Sequence, residues 1–339
     1  MALVLSSDYI TPTELTGYVR EALSDLPQNA FGLSAYLPDV ETDDIDFRVT
    51  TGGGGLARVA KYRAWDTESP ISGRRGVDRL SGEIPPISEK RRLSEYDRLK
   101  MRKLDAGIVD AILNDAVDLA KGIHARVEVA RGEALSDGKV TIAENGLTIE
   151  ADFGRKATHT QTAATKWNVE GSNPIDDLLA WQQIYVATNG VRPGATLTSQ
   201  SVQSSLMRNS AIRAMTLPTG STQQIVTIDA INALFQSFGL PALSIYEAQV
   251  EGDDGNAKSI INPAKVLFLP PSDRKLGETL WGVTAEALDS DYGIDSTDAP
   301  GVVVGSYSDK DPVGLWTKAS AIALPVPANT NLTLAATVL

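Results

Sequence analysis

From Leu93 to Leu135 no proline interrupts the chain, and apolar residues return every three or four positions. Leu104, Ile108, Ile112, Ala116, Leu119, Ile123 and Val127 fall on one face of an α-helix. Asp110, Asn114, Asp118, Lys121 and Arg126 fall on the opposite, solvated face. Gly107 and Gly122 weaken the helix slightly, Asp105 is placed to cap it, and Gly138 is placed to end it. From Asp105 to Leu135 it would extend roughly 45 Å. A helix that long acts as a spine on which other elements lie, with Ile108, Ile112, Leu119 and Ile123 as its buried line. A long core helix in any α+β protein has the same periodicity.

Charge is unevenly distributed along the 339 residues, whose net value is −12. Residues 1–57 hold two basic and nine acidic side chains, residues 58–103 thirteen and seven, and residues 104–339 sixteen and twenty-seven. An acidic chain is a poor general nucleic-acid binder. A basic middle between acidic flanks suits contact between copies of one chain, although a solvated basic loop has the same composition. The absence of cysteine removes disulfides, thiolate metal sites and cysteine nucleophiles. MALVLSSDYI has no basic n-region and does not read as a signal peptide. No apolar run is long enough to span a bilayer, so a protein made in a cytoplasm is expected, with no membrane partner.

Residues 1–45 read as an arm with one helix, capped by Thr11 or Thr13 and carrying Leu15, Val19, Leu23 and Leu26. The rest of the arm has no period and is expected to pack along another surface. Asp46–Thr51 reads as a strand, followed by the glycines at 52–55 and then by LARVAKYRAW. The remainder, to Arg92, is polar, basic and rich in Gly and Pro. A hairpin-like excursion leaning on a partner fits residues 46–92, and Trp65, Tyr62 and the arginines are typical interface anchors. KVTIAENGLTIEADFG is a β-hairpin turning at Asn145-Gly146. Pro174 to Gly190 is a helix with Asn173 as cap, and further helices are expected at 199–208 and after Thr227. LSIYEAQV, KVLFL, VVVGSY, ASAIALPVP and NLTLAATVL read as strands. The mixture argues an α/β or α+β chain.

Chemistry finds little support. Gly52, Gly54 and Ala57 fit G-x-G-x-x-A, and Asp78 stands about twenty positions on, but a Pro/Gly-rich loop follows where a βαβ unit is required. His124 and His159 do not form a ligand pair at helical spacing. Asp289, Asp291 and Gly293 begin like a calcium loop, yet the twelfth position is Pro300. No G-x-S-x-G elbow occurs. No cofactor and no metal are expected, and a structural protein is favoured over an enzyme.

The stretch YRAWDTESPISGRRGVDRLSGEIPPISEKRRLSEYDRLKMRKL resembles the tailed-bacteriophage major capsid proteins of the lambda major head protein (gpE) family. Asp66 to Pro70, Arg74 with Arg75, and Glu95 to Leu99 after the Pro-Pro-Ile segment carry the likeness, and the order of elements agrees along nearly the whole chain. The resemblance implies an α+β Hong Kong 97-type capsid fold. Residues 1–45 would be the N-terminal arm and 46–92 the extended loop. Residues 93–165 and 316–339 would form the peripheral domain, and 166–315 the axial domain.

It also implies a self-assembling icosahedral head protein of the virion, built of hexamers and pentamers around double-stranded DNA without sequence-specific contact, and assembled in the host cytoplasm. Portal and scaffold proteins are the expected partners, sometimes with a decoration protein. Arg58, Lys61, Arg63, Trp65, Arg74, Arg75 and Arg79 would then meet a neighbouring subunit. A bacterial cargo compartment built on the same shell fold is the alternative; an intracellular enzyme with a substrate loop at 46–92 is a more distant one.

Overall fold

The computed structural model describes residues 9–25, 31–51, 55–56, 59–69, 71, 78–101, 105–218, 225–252, 254–295, 298–311 and 313–339. Its first helix, α1 (Pro12–Asp25), opens on a reciprocal T-x-x-E box. Thr11 Oγ1 accepts the Glu14 amide at 3.3 Å, and Glu14 Oε2 accepts the Thr11 amide at 3.2 Å. A 3-10 turn at Leu33–Ala35 leads to strand β1 (Asp39–Glu41). Then come β2 (Asp46–Thr51), β3 (Asp78–Glu83), β4 (Pro86–Leu93) and the short helix α2 (Glu95–Met101). The spine, α3 (Asp105–Asp137), has 33 residues and is about 50 Å long. Arg155 closes its C-terminal end: its guanidinium donates to the carbonyls of Leu135 at 3.0 Å and Ser136 at 2.7 Å, which have no partner within the helix. The hairpin β5 (Lys139–Glu144) and β6 (Leu147–Asp152) turns with φ positive at both Asn145 and Gly146, the primed turn that matches strand twist.

The remaining chain supplies β7 (Thr160–Thr162), α4 (Pro174–Asn189), β8 (Ala195–Thr198), α5 (Gln200–Arg208), α6 (Ser210–Thr216) and α7 (Ile228–Ser237). Next are β9 (Leu243–Ile245), β10 (Gln249–Glu251), β11 (Ala257–Ser259), β12 (Lys265–Leu269), β13 (Gly277–Gly282) and α8 (Ala285–Leu288). It closes with β14 (Val303–Lys310), β15 (Val313–Pro327) and β16 (Leu334–Thr337).

Two sheets organise these elements. In the first, β15 pairs antiparallel with β13 and β14 along one edge and with β4 along the other, and β1 adds parallel to β13. α3 lies across this sheet. Ile108, Ile112, Ala116, Leu119, Ile123 and Val127 are buried against Leu315, Ala319, Ala321 and Ala323, with Leu15 and Val19 of α1 in the same core. The second sheet, ordered β7-β16-β12-β8-β9, forms a core with α4 to α7. There Trp167 and Trp181 stack at 5.9 Å near Tyr185, Phe235 and Phe268. A third core joins the sheets: Ala130, Ala134 and Leu135 of α3 meet Leu197, Leu267 and Leu269 of the second sheet and Leu324 and Val326 of the first. The segment 166–315 feeds both sheets, since β13 and β14 lie with β15, and β16 crosses back to the second.

Several expectations need correction. Of the helical stretch from Leu93, the described residues form α2 and α3, and 102–104, Leu104 among them, lie outside the described residues. The polar run to Arg92 contains β3 and β4; β4 is a strand because β15 offers it eight paired residues, a partner remote in sequence. LSIYEAQV breaks at Tyr246 into β9 and β10, and β10 pairs with β11 in the segment before KVLFL. Asn173 Nδ2 donates to Asp176 at 2.6 Å, and its side chain caps no backbone amide. The arm packs on its own subunit, with Leu15, Val19, Leu33 and Leu37 fully buried.

Candidate assembly interface

The 46–92 excursion stands on an antiparallel stem in which β2 and β3 pair over six residues. Its root is in the core: Phe47 is buried and packs on Phe153 at 6.5 Å, and Ile84 is buried beside it. Gly82 lies opposite Phe47 in the register, and a Cβ there would meet the ring at 2.8 Å. Beyond the stem the environment reverses. Val59, Tyr62, Trp65 and Ile71 are 93%, 105%, 93% and 97% exposed. Four large apolar side chains so bare on one excursion make it a candidate contact surface.

Between Arg63 and Thr67 the loop braces itself. Arg63 Nη1 donates to the Thr67 carbonyl at 2.7 Å, Thr67 Oγ1 to the Ala64 carbonyl at 2.8 Å, and Asp66 takes a φ of 59°. Trp65 is thereby held on a shaped turn. Lys61, Arg63 and Arg79 are exposed. Arg58, Arg74, Arg75 and the glycines 52–54 lie outside the described residues.

A second surface lies on the first sheet, on the side away from α3. Trp316 stacks on Tyr307 at 6.3 Å, Lys90 Nζ sits 4.5 Å above the Trp316 ring and the Arg92 guanidinium 5.8 Å from it. On the helix side of the same strand, Arg91 pairs with Asp115 at 2.9 Å and Asp118 at 3.2 Å. The basic run from Lys90 to Arg92 is therefore a strand whose alternate residues serve opposite faces.

A polar hub sits inside the subunit. Glu128, fully buried on α3, accepts the amides of Gly32 and Leu33 at 2.9 Å each, the Tyr246 hydroxyl at 2.9 Å and Arg131 Nη1 at 3.0 Å. Arg131 also donates to Thr279 Oγ1 at 2.9 Å and pairs with Asp39, whose carboxylate accepts the Trp281 indole N–H at 2.5 Å. Burial and the Glu128 carboxylate push the Tyr246 hydroxyl well above its ordinary value, so it stays a donor. Arm, spine and both sheets meet at this pair of side chains. Sequence reading missed Glu128, Arg131 and Tyr246. The one local signal was a Glu and an Arg three residues apart beside the buried Val127.

The histidines are structural. His124 packs on Trp281 at 5.1 Å, and burial lowers its pKa; His159 lies in the core with Nδ1 2.9 Å from the Thr333 carbonyl, and burial lowers its pKa too. The acidic segment at 289–293 is a 3-10 turn in which Asp289 accepts the Asp291 amide at 3.0 Å. Among the described residues no group of three or more His, Asp or Glu is placed to hold a metal ion.

The fold built from this loop, spine and two-edged central strand is that of the Hong Kong 97-like phage capsid proteins. The chain is similar to a putative capsid protein of an Escherichia coli CFT073 prophage: TM-score 0.64 at 16% identity, covering 97% of this chain and 99% of that one. It is also similar to a phage-related protein of Bordetella bronchiseptica RB50: TM-score 0.59 at 14% identity, covering 99% and 97%. No curated protein matches the sequence. The family profile of phage major capsid protein E matches residues 12–338, and the chain belongs to that family. It is a structural shell protein, a component of a phage capsid.

Proposed function

We propose that copies of this chain close into rings of five and six and tile an icosahedral shell around double-stranded DNA. Heterologous contacts that close on themselves give such rings. The arm is residues 1–45, the extended loop 46–92, the peripheral domain 93–165 with 316–339, and the axial domain 166–315. The role is structural and not enzymatic. Assembly takes place in the host cytoplasm with portal and scaffold proteins. The net charge of −12 disfavours non-specific adhesion to packaged DNA.

The observation that carries this reading is the exposure of Tyr62, Trp65 and Ile71 on a loop whose root is core. On assembly, Trp65 supplies an apolar anchor on the neighbouring subunit. Arg58, Lys61, Arg63, Arg74, Arg75 and Arg79 meet that neighbour's acidic surface. Each exposed ion pair is worth about 0–1 kcal/mol, so strength comes from repetition around the shell. The test is sedimentation of particles from cells expressing Lys61→Glu/Arg63→Glu or Trp65→Ala. Particle yield should drop at least tenfold while the circular dichroism of free subunits is unchanged. Wild-type yield from both variants would remove the loop from the interface.

A further inference from the structure

The two sheets share a mainly aliphatic core, and aliphatic contact is non-directional. It holds the halves together without dictating the angle between them. Directional contacts occur at the end of the spine, where Arg155 also donates to Thr160 of β7 at 3.2 Å, and where the segment from Tyr246 to Ile260, which contains the β10–β11 hairpin, crosses α3. At one end the Tyr246 hydroxyl donates to buried Glu128 at 2.9 Å, while the Tyr246 amide holds Thr198 of β8 at 2.9 Å. At the other end Ile260 lies on Gly132, one helical turn along; a Cβ at Gly132 would come within 2.5 Å of Ile260 Cγ2 and 2.9 Å of its carbonyl oxygen. Ala248 and Ile260 are buried on either side of the hairpin, and the Ile260 amide donates to the Ala248 carbonyl at 3.2 Å. Lys265 also reaches the spine, at Asp137. That pair is partly exposed and bends with long side chains, so it constrains angle weakly.

We propose that this segment, seated on Glu128 and Gly132, is the joint that fixes the angle between the two sheets and, through it, the curvature at which subunits assemble. The proposal rests on the ring arrangement given above. A shell of five- and six-membered rings asks one chain to sit at two inclinations, and a joint that confines the angle to a narrow range allows both while excluding others. Glu128 also holds the arm amides of Gly32 and Leu33. A change of angle at Tyr246 is therefore felt at the arm through one carboxylate.

Tyr246→Phe removes the hydroxyl and keeps the ring; Gly132→Ala inserts a wedge under Ile260. In free subunits, Tyr246→Phe should speed amide hydrogen exchange in residues 246–260 roughly tenfold, the size expected from losing one hydrogen bond to a charged partner. In particles imaged by electron microscopy, both variants should replace one diameter by several, or by open sheets, at undiminished yield. The loop variants Lys61→Glu/Arg63→Glu should lower yield and leave diameter alone. Particles of wild-type diameter from both joint variants would overturn the proposal, as would unchanged exchange in Tyr246→Phe. If the wild-type chain forms no particles, the assembly reading fails, and the joint is judged on exchange alone.

Discussion

At the scale of residues, the buried pair of Glu128 and Arg131 is the most consequential. Their side chains are 1% and 7% exposed, and removing one partner strands the other charge in the core. Glu128→Ala should cost about 3–5 kcal/mol of unfolding free energy, read from the denaturant midpoint. The same variant frees the amides of Gly32 and Leu33, so their exchange should rise first. The histidines set a pH dependence. Burial holds both His124 and His159 below the ordinary 6.5, so the unfolded chain binds protons that the folded chain refuses. Their contribution to stability is full above pH 6.5 and is lost progressively as pH falls below it, before carboxylates protonate. Melting temperature should therefore decline from pH 7 to pH 5, and His124→Gln/His159→Gln should flatten that decline; an equally steep slope in the double variant would refute the assignment.

Among the elements, those built from local contacts were readable in the chain and those built from remote ones were not. The spine and the β5–β6 hairpin follow from spacing and from Asn145-Gly146. Gly146→Ala, at a φ of 83° and with open space around the Cβ, should cost about 1 kcal/mol through the backbone alone. β4 was hidden: its sequence is polar because Arg91 serves ion pairs on α3 while Lys90 and Arg92 lie over Trp316. Only β15, more than two hundred residues on, makes it a strand. Glu128 was hidden for the same reason, its donors at Gly32 and Tyr246 standing 96 and 118 residues away. Tyr62 and Trp65 read in the sequence as candidate anchors, and the structure shows them exposed on the loop.

For the whole molecule, the arm is the instructive part. It reads as a strap seeking another surface, yet its described residues are seated on their own spine and on β13 and β14. The described arm is thus satisfied within its own subunit, and the bare side chains at Val59, Tyr62, Trp65 and Ile71 are where the proposed assembly would find its contact. Free subunits should accordingly melt cooperatively on their own in calorimetry, while Tyr62 and Trp65 become protected from oxidative labelling only in particles.

The fifteen-residue strand β15 has neighbours hydrogen-bonded to both flanks. A pull along its axis loads all those bonds together in shear, whereas a pull at right angles peels them apart singly. Each subunit therefore has a grain, stiff in one direction and yielding in the other. In the proposed shell, the direction in which that grain runs in the wall would determine where a loaded particle gives way.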